Sequence, residues 1–231
     1  MEKNTIIRIV NWVLTIVLIA SAALVGWIYS GRTNASAQVV TASIDENTRY
    51  ADLPETNVLD VLKEKGIQPA AKIGRVEDNK VQIALLLNYH CDASRKMLAN
   101  VLTTLVSRDE LYIEIYDWVN PEASGNFNSA LAGRCVYDKS LEKYVNWAFK
   151  VLSNTSDDTV EDALEYSGYS DEELTACMNN YADTVRLEYD LFNQHFYRDE
   201  TPTVIINGRY FSGYIDFTIF QRFIAEAMMQ Q

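Results

Sequence analysis

The sequence has no glycine-rich phosphate loop and no nucleophilic-serine motif, so neither P-loop nor serine-hydrolase chemistry is expected of it. Its two histidines and three cysteines show neither Cys-x-x-Cys nor His-x-x-x-His spacing. No metal site and no cofactor is therefore expected. Basic charge is short as well: 20 Lys and Arg against 32 Asp and Glu leave a net charge of −12 at pH 7. Residues 1–32 carry Lys3, Arg8 and Arg32 against Glu2, so that total divides into +2 there and −14 over residues 33–231. Nucleic acid is not an expected partner of so acidic a domain. The acidity itself reads as ordinary solubility of an exposed surface.

What the chain does have, at its start, is a long run without charge. Ile9 to Ile28 comprises 20 residues interrupted only by Asn11, Thr15, Ser21 and Gly26 among its polar and small members. At about 1.5 Å per residue it matches the roughly 30 Å hydrocarbon core of a bilayer. Trp12, Trp27 and Tyr29 stand near its ends, where amphipathic rings favour the interface. Lys3 and Arg8 precede it, which keeps the N-terminus cytoplasmic and sends the rest of the chain across. A cleaved signal peptide is the competing reading, on the strength of Ala35-Ser36-Ala37, but the run exceeds the usual h-region and Arg32 separates the two. Both readings place the domain outside the cytoplasm, periplasmic or extracellular. Disulfides persist in such compartments, and an odd number of cysteines leaves at least one of Cys91, Cys135 and Cys177 unpaired within the chain.

The expected organisation is a cytoplasmic tip and transmembrane anchor over residues 1–30, a linker over 31–56 rich in Ser, Thr, Ala, Asn and Asp, and one domain over 57–231. Val58, Val61 and Leu62 suggest a short helix ended by Gly66, and Ile73 to Val76 a short strand. Val81 to Leu87 is a short apolar run of the kind buried on both faces of a sheet. It leads directly to His90 and Cys91. Met97, Leu98, Val101, Leu102, Leu105 and Val106 then recur at helical spacing, which places Cys91 at or near a helix N-terminus. Leu111 to Trp118 reads as the next strand, completing a β-α-β unit. From about 121 to 200 the signals are helical, as at Leu141, Tyr144, Val145, Ala148 and Leu152, then Leu174, Cys177, Met178, Tyr181 and Val185. Asn207-Gly208 between two apolar runs predicts a hairpin, and Asp216 the N-cap of a last helix.

Two motifs in this order carry a family resemblance: Asn88-Tyr89-His90-Cys91-Asp92-Ala93-Ser94 at the strand-to-helix junction, and Glu200-Thr201-Pro202-Thr203-Val204 before the hairpin. From roughly Ile73 onward the chain resembles DsbA-like thiol-disulfide oxidoreductases, α/β proteins whose thioredoxin-like fold is interrupted by a helical insertion domain. The resemblance implies that Cys91 is the active thiol. It also implies a cis Pro202 packed against that thiol, with the Thr201 backbone open to an extended substrate segment. A trans proline opening a strand is the alternative. The chain departs from the family at one point. Where the family has Cys-x-x-Cys, it has Cys91-Asp92-Ala93-Ser94, so the resolving thiol is missing.

Exchange needs a thiolate, which a helix N-terminus favours. Asp92 opposes it while Arg95 and Lys96 offset Asp92, so the sign of the net shift is left open by the sequence. The alternative is that Cys91 is a small buried hydrophobe. Ser94 cannot resolve a mixed disulfide, so an external thiol must release any adduct. His90 is expected to flank or tune the thiol and contact substrate, and His195 to be a helix-surface or core residue. Cys135 follows Leu131 by four residues and Cys177 shares the apolar face of Leu174, Met178 and Tyr181, so both look inward. A structural disulfide and two buried thiols are both compatible with that; the family's capacity for an extra disulfide in its helical domain favours the first. The expected function is membrane-anchored, extracytoplasmic thiol-disulfide exchange through Cys91, by monothiol exchange, isomerisation or mixed-disulfide capture. Its partners would be extracytoplasmic proteins with thiols or disulfides, and membrane lipid around residues 9–28. The alternative is a redox-inactive thioredoxin-fold module that binds peptides or proteins.

Overall fold

The structure, a computed structural model, describes residues 49–52, 58–75, 81–106, 108–153, 159–196 and 201–230. The expected membrane anchor at Ile9–Ile28 lies outside the described residues. Among the described residues no helix is long and apolar enough to cross a membrane.

Six strands form one sheet in the order β1-β6-β5-β3-β4-β2. At its centre β3 (Val81–Leu87) runs parallel to β4 (Leu111–Asp117) and antiparallel to β5 (Thr203–Ile206). Its largely apolar run, in which only Gln82 is polar and exposed, has a simple cause: past that residue both faces are covered. Val81, Ile83, Leu85 and Leu87 belong to one core with α2 (Asp92–Thr104) and α7 (Phe217–Met229), while Ala84 and Leu86 belong to another. That second core contains α1 (Val58–Glu64) through Val58 and Leu62, together with Leu191, Phe192 and Phe196. β5 turns into β6 (Arg209–Ser212) through Asn207 and Gly208, both at positive φ (44° and 85°), the mirror-image turn that suits strand twist. Asp216 caps α7 by accepting the Thr218 N–H at 2.8 Å.

Two edges differ from expectation. β1 (Arg49–Asp52) falls inside the segment expected to be linker and pairs antiparallel with β6. Four residues carry too little periodicity to announce a strand, and the free edge of β6 supplies the pairing. β2 (Ala71–Ile73) begins two residues before the expected Ile73–Val76 strand and stops at Gly74, whose φ is 85°. Only glycine fits at that turn, because an added Cβ would collide with the Leu111 carbonyl.

Among the described residues four helices lie between β4 and β5: α3 (Ser124–Lys139), α4 (Leu141–Ser153), α5 (Thr159–Ser167) and α6 (Asp171–His195). α6 starts at a capping box in which Ser170 and Glu173 exchange side-chain and backbone hydrogen bonds. Cys135 of α3 and Cys177 of α6 are joined by a disulfide, with Cα atoms 5.9 Å apart.

A buried ionic cluster fixes the insertion to the sheet. Arg134 of α3 donates through Nε to Asp117 at the end of β4 (2.7 Å), and through one terminal nitrogen to both oxygens of Glu188 on α6 (2.6 and 2.7 Å). Its other terminal nitrogen donates to the Gln68 carbonyl at 2.9 Å. Exposure is 2% for Arg134 and 0% for both acids, and Asp117 Oδ1 has no hydrogen-bond partner. Two carboxylates share one guanidinium out of water. Burial pushes Glu188 up to about 8, with Arg134 opposing and Asp117 adding to the rise, and burial raises Asp117 in the same direction against Arg134.

Candidate active site

Cys91 is the N-cap residue of α2, with extended backbone (φ −88°, ψ 120°), and its carbonyl accepts the helix's first bond from Arg95 N–H at 2.9 Å. The turn before it is closed by Asn88. The Cys91 N–H donates to the Asn88 carbonyl and the His90 N–H to Asn88 Oδ1, both at 2.9 Å. The Asn88 N–H in turn donates to Ser94 Oγ at 3.3 Å. Ser94, 1% exposed, is thus tied beneath the junction in the position where a resolving thiol would stand.

The antiparallel pairing of β5 with β3 carries the start of β5 back to the end of β3, and with it Thr201. Cys91 Sγ donates to the Thr201 carbonyl at 3.2 Å, across 110 residues of sequence. The Thr201–Pro202 peptide is cis, and Pro202 is buried, its carbonyl accepting the Gly213 N–H at 2.9 Å. Cys91, Ser94, Thr201 and Pro202 therefore form one site around a half-buried free thiol.

Burial opposes ionisation of that thiol, yet its pKa is lowered. The Ser94 backbone N–H outweighs burial together with the side chains of Thr201 and Ser94 and the Ala93 N–H. None of these N–H groups makes a cap bond to Cys91 in the thiol form, when the S–H instead turns to Thr201. Losing that proton frees the sulfur to attract them. Side-chain charges are not among these causes. Asp92, with its side chain 87% exposed, pairs with Arg95 at 3.7 Å in solvent, where such a pair is weak.

His90 is turned towards the insertion. Its Nε2 lies 2.8 Å from Ser129 Oγ, which contacts the Thr159 hydroxyl at 2.5 Å and donates to the Gly125 carbonyl at 2.9 Å. Trp147 Nε1 donates to the Thr159 carbonyl at 3.1 Å, so the polar chain continues into α4. His195 sits in the last turn of α6 with Nδ1 2.8 Å from the Leu191 carbonyl. The sequence showed Asn88 as the first residue of the junction motif but gave it no role at the site, and it did not single out Ser129 or Thr159. A hydroxyl on an otherwise apolar helical face was the one available signal for Ser129.

A strand-to-helix cysteine meeting a cis-proline loop, with helices inserted between them, defines a thioredoxin fold built for thiol chemistry. The chain belongs to the thioredoxin family: the family model described as Thioredoxin matches residues 74–226. Among solved structures it is similar to the thiol-disulfide exchange protein alpha-DsbA2 from Wolbachia pipientis, with 19% identity and a TM-score of 0.57 over 73% of this chain and 93% of that one. It is similar also to oxidised BdbD from Bacillus subtilis (14%, TM-score 0.59, 79% and 98%). A third likeness is to a periplasmic thioredoxin-like protein from Salmonella enterica serovar Typhimurium (14%, TM-score 0.58, 76% and 98%). At these identities the likeness is one of fold. No curated protein matches the chain.

Proposed function

We propose that this protein exchanges thiols and disulfides with extracytoplasmic proteins through Cys91, from a domain tethered to the membrane by residues 9–28. The observation that carries the reading is the placement of the free Cys91 thiol: half-buried at a helix start, against the Thr201 carbonyl, with its pKa lowered. A thiolate so held attacks a partner's disulfide. The Cys91–partner bond forms, the partner's own S–S bond breaks, and the electron pair leaves on the partner's second sulfur. With Ser94 in the resolving position the adduct waits for an external thiol, so exchange, isomerisation and capture are the accessible outcomes. Tethering beyond the membrane is supported by the charge-free run, its flanking Lys3 and Arg8, and the persistence of disulfides in that compartment.

Purification after acid quenching and alkylation should recover mixed disulfides of Cys91 with envelope proteins, and Cys91→Ala should remove them. In the purified protein, Cys91 alkylation should have a pH midpoint below that of a free cysteine. A thiol that resists alkylation in the folded protein and yields no adducts would sink the exchange reading and leave that of a binding module.

Topology is open to a separate test. External protease on intact cells, or on spheroplasts where there is an outer membrane, should degrade the chain beyond about residue 30, the end of the span. Protection until lysis would reverse the orientation.

A further inference from the structure

The insertion's disulfide is presented to solvent from one end only. Cys135 and Cys177 both belong to the main core, but Cys135 is 0% exposed while Cys177, 9% exposed, also lines an open surface pocket of about 340 Å³. Asp138, Tyr169, Glu173, Asn180 and Tyr181 complete its wall. One wall group is held against the sulfur: Asp138 Oδ2 lies 3.8 Å from Cys177 Sγ, and Tyr181 donates its hydroxyl to both oxygens of that carboxylate at 2.7 and 2.8 Å. A disulfide sulfur has no proton to give, so this carboxylate is not bonded to it. It is held beside the sulfur in the wall of the pocket that Cys177 lines.

We infer that Cys177 is a thiol-modification site of fixed polarity, at which Asp138 selects cationic and neutral small thiols over anionic ones. Attack is the first step. The incoming thiolate bonds to Cys177 Sγ, the Cys135–Cys177 bond breaks, and its electron pair leaves on Cys135 Sγ, which takes up a proton. A second molecule of the same thiol attacks the outer sulfur of the adduct. Cys177 is released as a thiol, and two small thiols have become one disulfide while the cystine has become two thiols. Selection follows from Coulomb's law. A thiolate that also carries a carboxylate brings a second negative charge towards Asp138 and Glu173, whereas an ammonium group on the attacker compensates its own sulfur there. Lys139, 3.6 Å over the Tyr169 ring, weighs against this, while Arg134 behind Tyr181 is already committed to Asp117 and Glu188. The effect has to fall with added salt, because the pocket is open to solvent. This inference does not depend on Cys91 being active.

The test uses full-length Cys91→Ser protein, so that adducts at the first site cannot confuse the result. Cysteamine, 2-mercaptoethanol and thioglycolate, each rate taken at equal thiolate concentration and divided by the same thiolate's rate on a small uncharged disulfide to remove its intrinsic nucleophilicity, should open the disulfide in that order. The first and last should differ by at least about fivefold, the factor expected for one unit-charge interaction near 4 Å in water. Acid quenching early in the reaction, followed by peptide mapping, should find the adduct on Cys177. Asp138→Asn, at an exposed position, should compress the spread, as should 1 M salt on the unmodified pocket. Adducts on Cys135, equal rates for all three thiols, or opening only as fast as the whole domain unfolds would each overturn the inference.

Discussion

Replacing Ser94 by cysteine should shorten the life of Cys91 adducts by about 10³-fold, the ratio of a millimolar effective concentration within one chain to a micromolar external thiol. The reason lies in the helix start. Cys91 is the N-cap and position 94 stands one turn on, so a sulfur at 94 faces the sulfur at 91. The native hydroxyl occupies that place while accepting the Asn88 N–H at 3.3 Å. Sulfur accepts more weakly, so the variant should lose about 1 kcal/mol of stability while gaining a resolving group. It should also acquire dithiol oxidase or reductase activity that the native sequence lacks. The measurement is the decay of a pre-formed Cys91 mixed disulfide, with and without added thiol. Decay at the native rate in Ser94→Cys would show that the two sulfurs do not meet.

Arg134→Met should destabilise the domain by about 3–5 kcal/mol, the range for removing one member of a buried ion cluster. Methionine fills the volume but leaves Asp117 and Glu188, both 0% exposed, without their counter-charge. Chemical denaturation of the variant should show the loss; a change below about 1 kcal/mol would mean that the cluster is wet or already neutral. Acidity gives a second handle. Glu188 is pushed up to about 8 in the fold, above an ordinary carboxyl, so the folded state holds its proton more tightly than the unfolded chain. Such a group supports stability below its unfolded pKa and loses that support as pH rises to about 8. The domain should therefore gain stability from this cluster on acidification across the window, with Asp117 shifted in the same direction. Glu188→Gln should flatten that part of the profile.

The residues that announce themselves in the sequence are those whose neighbours are local. Val81 to Leu87, the apolar spacing after Cys91, Asn207-Gly208 and Asp216 each carry a periodicity or a turn chemistry that needs no partner elsewhere, and each forms the element expected. Arg134, Asp117 and Glu188 do not. They come from α3, β4 and α6, and a single charge among apolar neighbours reads as a solvated position until the chain is folded. The sign of the shift at Cys91 was hidden for a related reason. Asp92, Arg95 and Lys96 are visible in sequence but are not among the causes of the shift, whereas Ala93 and Ser94 act through backbone N–H groups that every residue type but proline shares. β1 went unread because its pairing with β6 is tertiary and its four residues show no alternation long enough to count.

The route of the chain through the sheet separates what the protein can vary from what it cannot. β4 runs parallel to β3 and β5 antiparallel to it, so the insertion leaves the sheet and returns to it at the end where Cys91 stands. Loops and exposed helix faces of the insertion can be lengthened or recomposed without shifting any strand register, which makes them the natural place to graft a new recognition surface beside an unchanged thiol. The graft has a boundary. Asp117 ends β4 and its only counter-charge, among the described residues, is Arg134 inside the insertion, so α3 and the middle of α6 have to be kept whole. A minimal version of the domain cut at β4 and rejoined at β5 would retain the thiol and the proline loop but lose both the guanidinium that Asp117 bonds and the Leu191, Phe192 and Phe196 side chains that pack with Tyr116 and Trp118.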